Sequence, residues 1–226
     1  MKHIRKREEP AELRDWRLAQ KSAPQNLTYE NAPKDALRAG LLGEQGFLCA
    51  YTMMRIADTR SGHIEHIRPQ SLSPNLQIAY TNMLYCYPGD GLAHCGFGAH
   101  EKGGKPVVAG KFVSPLESSC ETRFAYLSDG SVVAANDEDE AAANTICVLR
   151  LDHRALIEAR RQAIRTLPIF DRSTGPVSAQ RALRIASGAL LNDANGRFQQ
   201  YAVALCQVMT RYARRRAAKE VAISGR

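Results

Sequence analysis

Between Cys49 and Lys105 the chain concentrates side chains that bind metals or move protons, and this clustering limits what the segment can become. Four of the six histidines (His63, His66, His94, His100) and three of the six cysteines (Cys49, Cys86, Cys95) fall inside it. Glu65 stands beside His66, Asn82 follows, and His100 lies two positions before Lys102. So many polar groups cannot all be buried without partners. The segment is read as a site, and the rest of the chain as its support.

The local patterns suggest how that folding proceeds. PAELRDWRLA predicts a short helix opening at Pro10, with Trp16 as an anchor on the main body. KSAPQNLTYENAPK is polar and rich in Pro and Asn, the signature of an ordered loop or arm. Over residues 34–48, Leu37, Leu41, Leu42 and Gln45 share one helical stripe. Strand alternation over 63–67 puts His63 and Glu65 on one face and Ile64 and His66 on the other, and Pro69 ends the strand. A loop then returns to Asn82. Residues 83–98 read as irregular and glycine-rich, with a short helix from near Ala99 carrying His100. Short strands are expected in KFVSPL and in FAYLSDGSVVAA, the latter a hairpin turning at Asp129-Gly130. The run Asp137–Glu140 reads as a solvated loop or a helix start. From Asp152, a plausible N-cap, three helical patterns follow, with Cys147 and Cys206 as small core residues. The expected fold is α+β: a basic arm and short helix over 1–33, a core over 34–150, and a basic helical region over 151–226 packed on it.

Composition excludes several classes. At 226 residues and 44% hydrophobic content, a real core is expected. No apolar run approaches a membrane span, and the basic N-terminus lacks the apolar stretch of a secretory signal. The expectation is a cytoplasmic protein without membrane contact, its cysteines reduced or metal-bound. The net charge of +8 is unevenly placed. Residues 151–226 carry 14 Arg/Lys against 5 Asp/Glu, and residues 1–150 carry 17 against 18. Such asymmetry suits a polyanion, or equally a set of solvated helix faces.

Hydrolysis of a phosphodiester needs an activated water and neutralisation of charge in the transition state. A divalent ion supplies the second, and a histidine near its pKa supplies a base for the first. Glu65 and His66 offer a carboxylate ligand and a base from one strand, although adjacent strand residues face opposite ways unless the strand twists or bulges. His100 offers a second metal ligand. Asn82 can fix a loop or orient the imidazole. His63 shares a face with Glu65 and either joins the site or serves as a hydrogen-bonding residue. Arg68, Lys102 and Lys105 are candidate contacts to a nucleic-acid backbone. Either Arg211, Arg214, Arg215 and Arg216 on the last helix lie along DNA, or the helices dock a partner subunit through apolar residues such as Leu205 and Met209.

The order Glu65-His66, Asn82, His100 resembles the HNH endonucleases. LLGEQGFLCAYTMMRI, HIEHIRPQS, YTNMLYC, the HCG and HEKGG segments, FAYLSDGSVVAA and TICVLRLDH extend the resemblance over most of the chain, to the retron- and Septu-associated PtuB-like group. That resemblance implies a ββα-metal core with His66 as general base, Glu65 as acidic metal ligand, Asn82 as the central asparagine and His100 as the final position, His94 competing for it. It further implies DNA cleavage with Mg²⁺ or Mn²⁺ in anti-phage defence, beside an ABC-like ATPase partner of the PtuA type. Many HNH proteins also carry a zinc held by two CxxC pairs. Here Thr52 stands where the second thiol of the first pair would be, and Cys86 and Cys95 are nine positions apart. Cys49, Cys86, Cys95 and His94 remain a possible Cys3His zinc set, with ordinary free cysteines as the alternative. The competing reading of the whole chain is a non-catalytic, zinc-stabilised adaptor that binds nucleic acid or the ATPase.

Overall fold

A computed structural model describes residues 1–171, 173 and 175–224. Arg172 and Arg226, counted in the basic balance above, lie outside them. The described chain is mixed α+β, with two small antiparallel sheets among seven α-helices. Helices α1 (Ala11–Ala19) and α2 (Lys34–Glu44) precede strands β1 (His63–His66) and β2 (Met83–Cys86), which pair so that Ile64 faces Tyr85 and Glu65 faces Leu84. The four-residue helix α3 (Ala99–Lys102) follows. Strands β3 (Phe124–Tyr126) and β4 (Val132–Ala134) form the second sheet. Helices α4 (Glu140–Val148), α5 (Arg154–Arg165), α6 (Ala179–Ala189) and α7 (Ala202–Ser224) complete the order. No helix among the described residues is long and apolar enough to cross a membrane.

Two apolar clusters hold these elements. The larger joins the N-terminal arm, through Met1 and Ile4, to Leu13, the α2 stripe, both hairpins and Leu156 of α5, with Trp16 packed against it. The smaller lies between α6 and α7, around Ala182, Ala186, Leu205 and Met209, and reaches Ile164 of α5. Leu205 and Met209 are therefore core residues, and the docking surface expected from them does not form.

Several local expectations need correction. Residues 83–86 are not irregular but the partner strand of β1. Gln45 explains this: its side chain accepts from Tyr85 N–H at 2.7 Å and donates to the Tyr85 carbonyl at 2.7 Å, so β2 is held along both edges. KFVSPL forms no strand, because its backbone is tied to α4 side chains: Val113 N–H donates to Thr145 Oγ1, and Asn144 donates to the Lys111 carbonyl. The cap of α5 is His153, whose Nδ1 accepts from Ala155 N–H, rather than Asp152. Cys147 is exposed and Cys206 half-buried.

The turn at Asp129-Gly130 forms as expected. Gly130 has φ +88°, and a Cβ there would collide with the Ile157 carbonyl and the Arg161 amide of α5, so only glycine lets the hairpin sit this close. The buried Arg160 crosses the same gap, donating to the Gly130 carbonyl at 2.6 Å and the Leu151 carbonyl at 2.7 Å. Within the acidic run, Asp139 caps α4 by accepting from Ala142 N–H at 2.9 Å, and it receives a two-pronged contact from Arg123.

The Arg123 hydrogen bonds hold the Asp139 carboxyl below its usual 3.8. A depressed folded-state pKa stabilises above the unfolded value and is lost as pH falls through the folded one. Asp139→Ala should therefore cost about 1–2 kcal/mol at neutral pH, the value of a lost N-cap. The difference from the parent should shrink below about pH 4. Urea denaturation at pH 7 and pH 3 checks both halves.

Candidate active site

Strand β1 carries the two adjacent residues into different surroundings, as its alternation requires. Glu65 points towards α3, where the Lys102 ammonium lies 2.7 Å from its Oε1, and the Tyr51 hydroxyl reaches the same oxygen at 3.5 Å. Burial pushes the Glu65 carboxyl up, and Lys102 offsets this in part. Lys102 also donates to the His66 carbonyl at 3.0 Å. One ammonium thus ties the end of α3 to two consecutive residues of β1. Lys102 is 1% exposed, which overturns its assignment as a nucleic-acid contact: a phosphate cannot reach it.

His66 faces the other way. Its Nε2 lies 2.9 Å from the Gln77 carbonyl, its Nδ1 lies 3.1 Å from the Gln70 amide, and the Tyr29 ring meets it edge-on at 4.9 Å. A carbonyl only accepts, so Nε2 carries the proton and Nδ1 is the basic nitrogen. Burial lowers the His66 pKa against the opposing pull of the Gln77 carbonyl, so the surroundings disfavour the charged imidazolium. Asn82 does not touch the imidazole. Its Oδ1 accepts from Arg68 N–H at 2.9 Å and its Nδ2 donates to the Arg68 carbonyl at 3.1 Å. Of the two roles open to Asn82, loop fixation is the one observed: the chain leaving β1 is pinned to the chain entering β2.

The histidines form a row. His63 donates Nδ1–H to the Pro88 carbonyl at 2.6 Å, and its ring stacks on His100 at 5.3 Å. His94 stacks on the same ring at 4.9 Å. Burial first, then His63 and His94, lower the His100 pKa, and its Nδ1 is buried without a hydrogen-bond partner.

The possible zinc set does not come together. Burial pushes the Cys49 thiol up, but hydrogen bonds with Cys86, Thr52 and nearby backbone outweigh it and hold it at about 6, while burial drives Cys86 well up. Thr52, the residue that interrupts the first CxxC pair, accepts from the Met54 amide at 3.3 Å. Cys95 donates to the Phe97 carbonyl, and His94 is exposed, accepting from Gly96 N–H and stacking on His100. Among the described residues no group of three or more His, Cys, Asp or Glu is arranged to hold a metal ion.

Of the remaining basic residues, Arg68 and Lys105 are exposed, and Arg68 lines a cleft of about 290 Å³ with Pro106 and Val107. Arg214 and Arg215 are exposed on α7. Arg211 is half-buried and donates to the Tyr126 carbonyl, and Arg216 pairs with Glu220 at 3.0 Å. These two have internal partners and are less available to a phosphate than the sequence pattern suggested. Gln70, Gln77, Tyr29 and Tyr51, which complete the site, carry no sequence signal beyond their nearness to the motifs.

Comparison with protein-family models returns no match to this chain, and a search of curated proteins returns none either.

Lys102→Met should leave a buried carboxylate without its cation, at a cost of about 3–5 kcal/mol. Adding Glu65→Gln to that variant should recover most of the loss. Chemical denaturation of the two single variants and the double one closes the cycle, and additive effects would show that the pair is not coupled.

Proposed function

We propose that the chain is a metal-dependent HNH-type endonuclease of the PtuB-like group, acting on DNA beside an ABC-like ATPase. One observation carries the reading: the β1–β2 hairpin is closed onto α3 by the Glu65–Lys102 pair, with an acid-histidine step on β1 and an asparagine clamp where the hairpin loop returns. This is the order and connectivity expected of a ββα-metal core. The defence role and the ATPase rest on the sequence resemblance.

Glu65 and His100 are the donors that would hold a divalent ion such as Mg²⁺ or Mn²⁺. Both contacts to the Glu65 carboxylate fall on Oε1, which leaves Oε2 for a cation, and the unpartnered Nδ1 of His100 is a second donor. A carboxylate and an imidazole with water in the remaining positions suit a hard or borderline ion. When bound, such an ion would neutralise charge building up on the phosphate and the leaving oxygen.

The chain's own residues do the proton work. Gln77 fixes the imidazole tautomer, so that Nδ1 of His66 accepts the proton of a water that takes the place of the Gln70 amide. Asn82 holds the backbone at Arg68, and with it the orientation of His66. Arg68 and Lys105, both exposed, would meet the flanking phosphates.

His66→Ala should reduce metal-stimulated cleavage of plasmid DNA by about 10²-fold or more, the usual contribution of a general base. Cleavage at the parent rate would remove His66 from the mechanism.

A further inference from the structure

The basic balance of the sequence points to the C-terminal third, yet a second cationic surface forms where the N-terminal arm meets the loop between α6 and α7. A cleft of about 580 Å³ is lined by Lys2, His3, Arg5, Lys6 and Arg7 on one side and by Asn192 and Phe198 on the other. It adjoins a second cleft of about 420 Å³, which shares Asn192 and Phe198 and adds Arg55 and Arg197. The loop is fixed in place: Phe198 N–H donates to the Gly46 carbonyl at 3.0 Å, and Arg55 donates to the Phe198 carbonyl.

These cations differ in what they can still bind. Lys6 is paired with the buried Glu44 at 2.6 Å, Lys2 with Glu121 at 2.7 Å, and the Arg55 guanidinium is taken up by backbone carbonyls. Arg5, Arg7 and Arg197 are exposed and have no carboxylate partner among the described residues. The two carboxylates lining the clefts are themselves engaged: Glu44 by Lys6 and Arg7 N–H, and Asp193 by the Asn195 and Arg197 amides. Phe198 offers no open ring face for base stacking, since Gly46 packs against it and the Lys2 ammonium lies 4.8 Å from its centroid.

We infer that this double cleft grips the phosphodiester backbone of a nucleic acid through Arg5, Arg7 and Arg197, independently of sequence. Cations with no stacking platform recognise phosphates rather than bases. The proposed nuclease activity supplies the choice of nucleic acid as the polyanion; the grip itself rests on the clefts alone.

The test is fluorescence anisotropy of a short labelled DNA duplex with divalent ions chelated, so that binding is read without cleavage. The triple variant Arg5→Gln/Arg7→Gln/Arg197→Gln should weaken binding about tenfold or more, and should lower the slope of log Kd against log salt by about 2–3, near 0.9 per lost phosphate contact. The triple lysine variant should bind as the parent does. Unchanged affinity in the glutamine variant would overturn the inference, as would an equal loss in the lysine variant. Displacement of the duplex by tripolyphosphate at matched phosphate concentration would overturn it in favour of a small-polyphosphate site. A protein that binds through these arginines but never cuts would sink the nuclease reading and leave the cleft standing.

Discussion

The buried pair between Glu65 and Lys102 decides the geometry of the central segment. A four-residue helix has too few hydrogen bonds to persist alone, and a two-stranded hairpin of four-residue strands is also marginal. Each is held by the other, through one ammonium that meets the Glu65 carboxylate and the His66 carbonyl. Isolated buried charges are costly, and a partnered pair tolerates little displacement. The same interaction that joins helix to hairpin therefore also restricts where His66 and His100 can stand. Structure and chemistry share one constraint here.

The sequence made some of this legible and hid the rest for physical reasons. The period-two reading of β1, the turn at Asp129-Gly130 and the α2 stripe follow from local rules and appear in the structure. Strand β2 escaped because its residues are buried throughout and show no alternation. Its partner on the outer edge is the side chain of Gln45, the residue that closes α2, which no periodicity reveals. KFVSPL read as a strand because apolar residues flank a polar one, while its actual hydrogen bonds run to Thr145 and Asn144, some 30 residues on. Lys102 read as a surface cation because lysine usually is one. Only the placement of Glu65 opposite it makes burial tolerable.

The candidate site shows the same division. Glu65, His66 and Asn82 could be named from order and spacing, but their roles depend on partners the order does not contain. The tautomer of His66 is set by a backbone carbonyl, and Asn82 acts on the Arg68 backbone rather than on the imidazole. The two faces of β1 keep the carboxylate and the imidazole apart, and Lys102 ties the Glu65 carboxylate to the His66 backbone carbonyl rather than to the ring. The cysteines illustrate the opposite case: a spacing that suggested a metal set gives free thiols, with Cys49 and Cys86 buried and Cys95 donating to the Phe97 carbonyl.

Gln45 has a consequence beyond positioning β2. The outer edge of a hairpin presents unpaired amides and carbonyls, a ready template for strands from other molecules. At Tyr85 both groups are already taken by a single side-chain amide, which imitates a neighbouring strand for one residue. The Ala50 amide also donates to the Tyr85 carbonyl. At Tyr85, therefore, the hairpin edge has no free backbone group to offer a strand from another molecule.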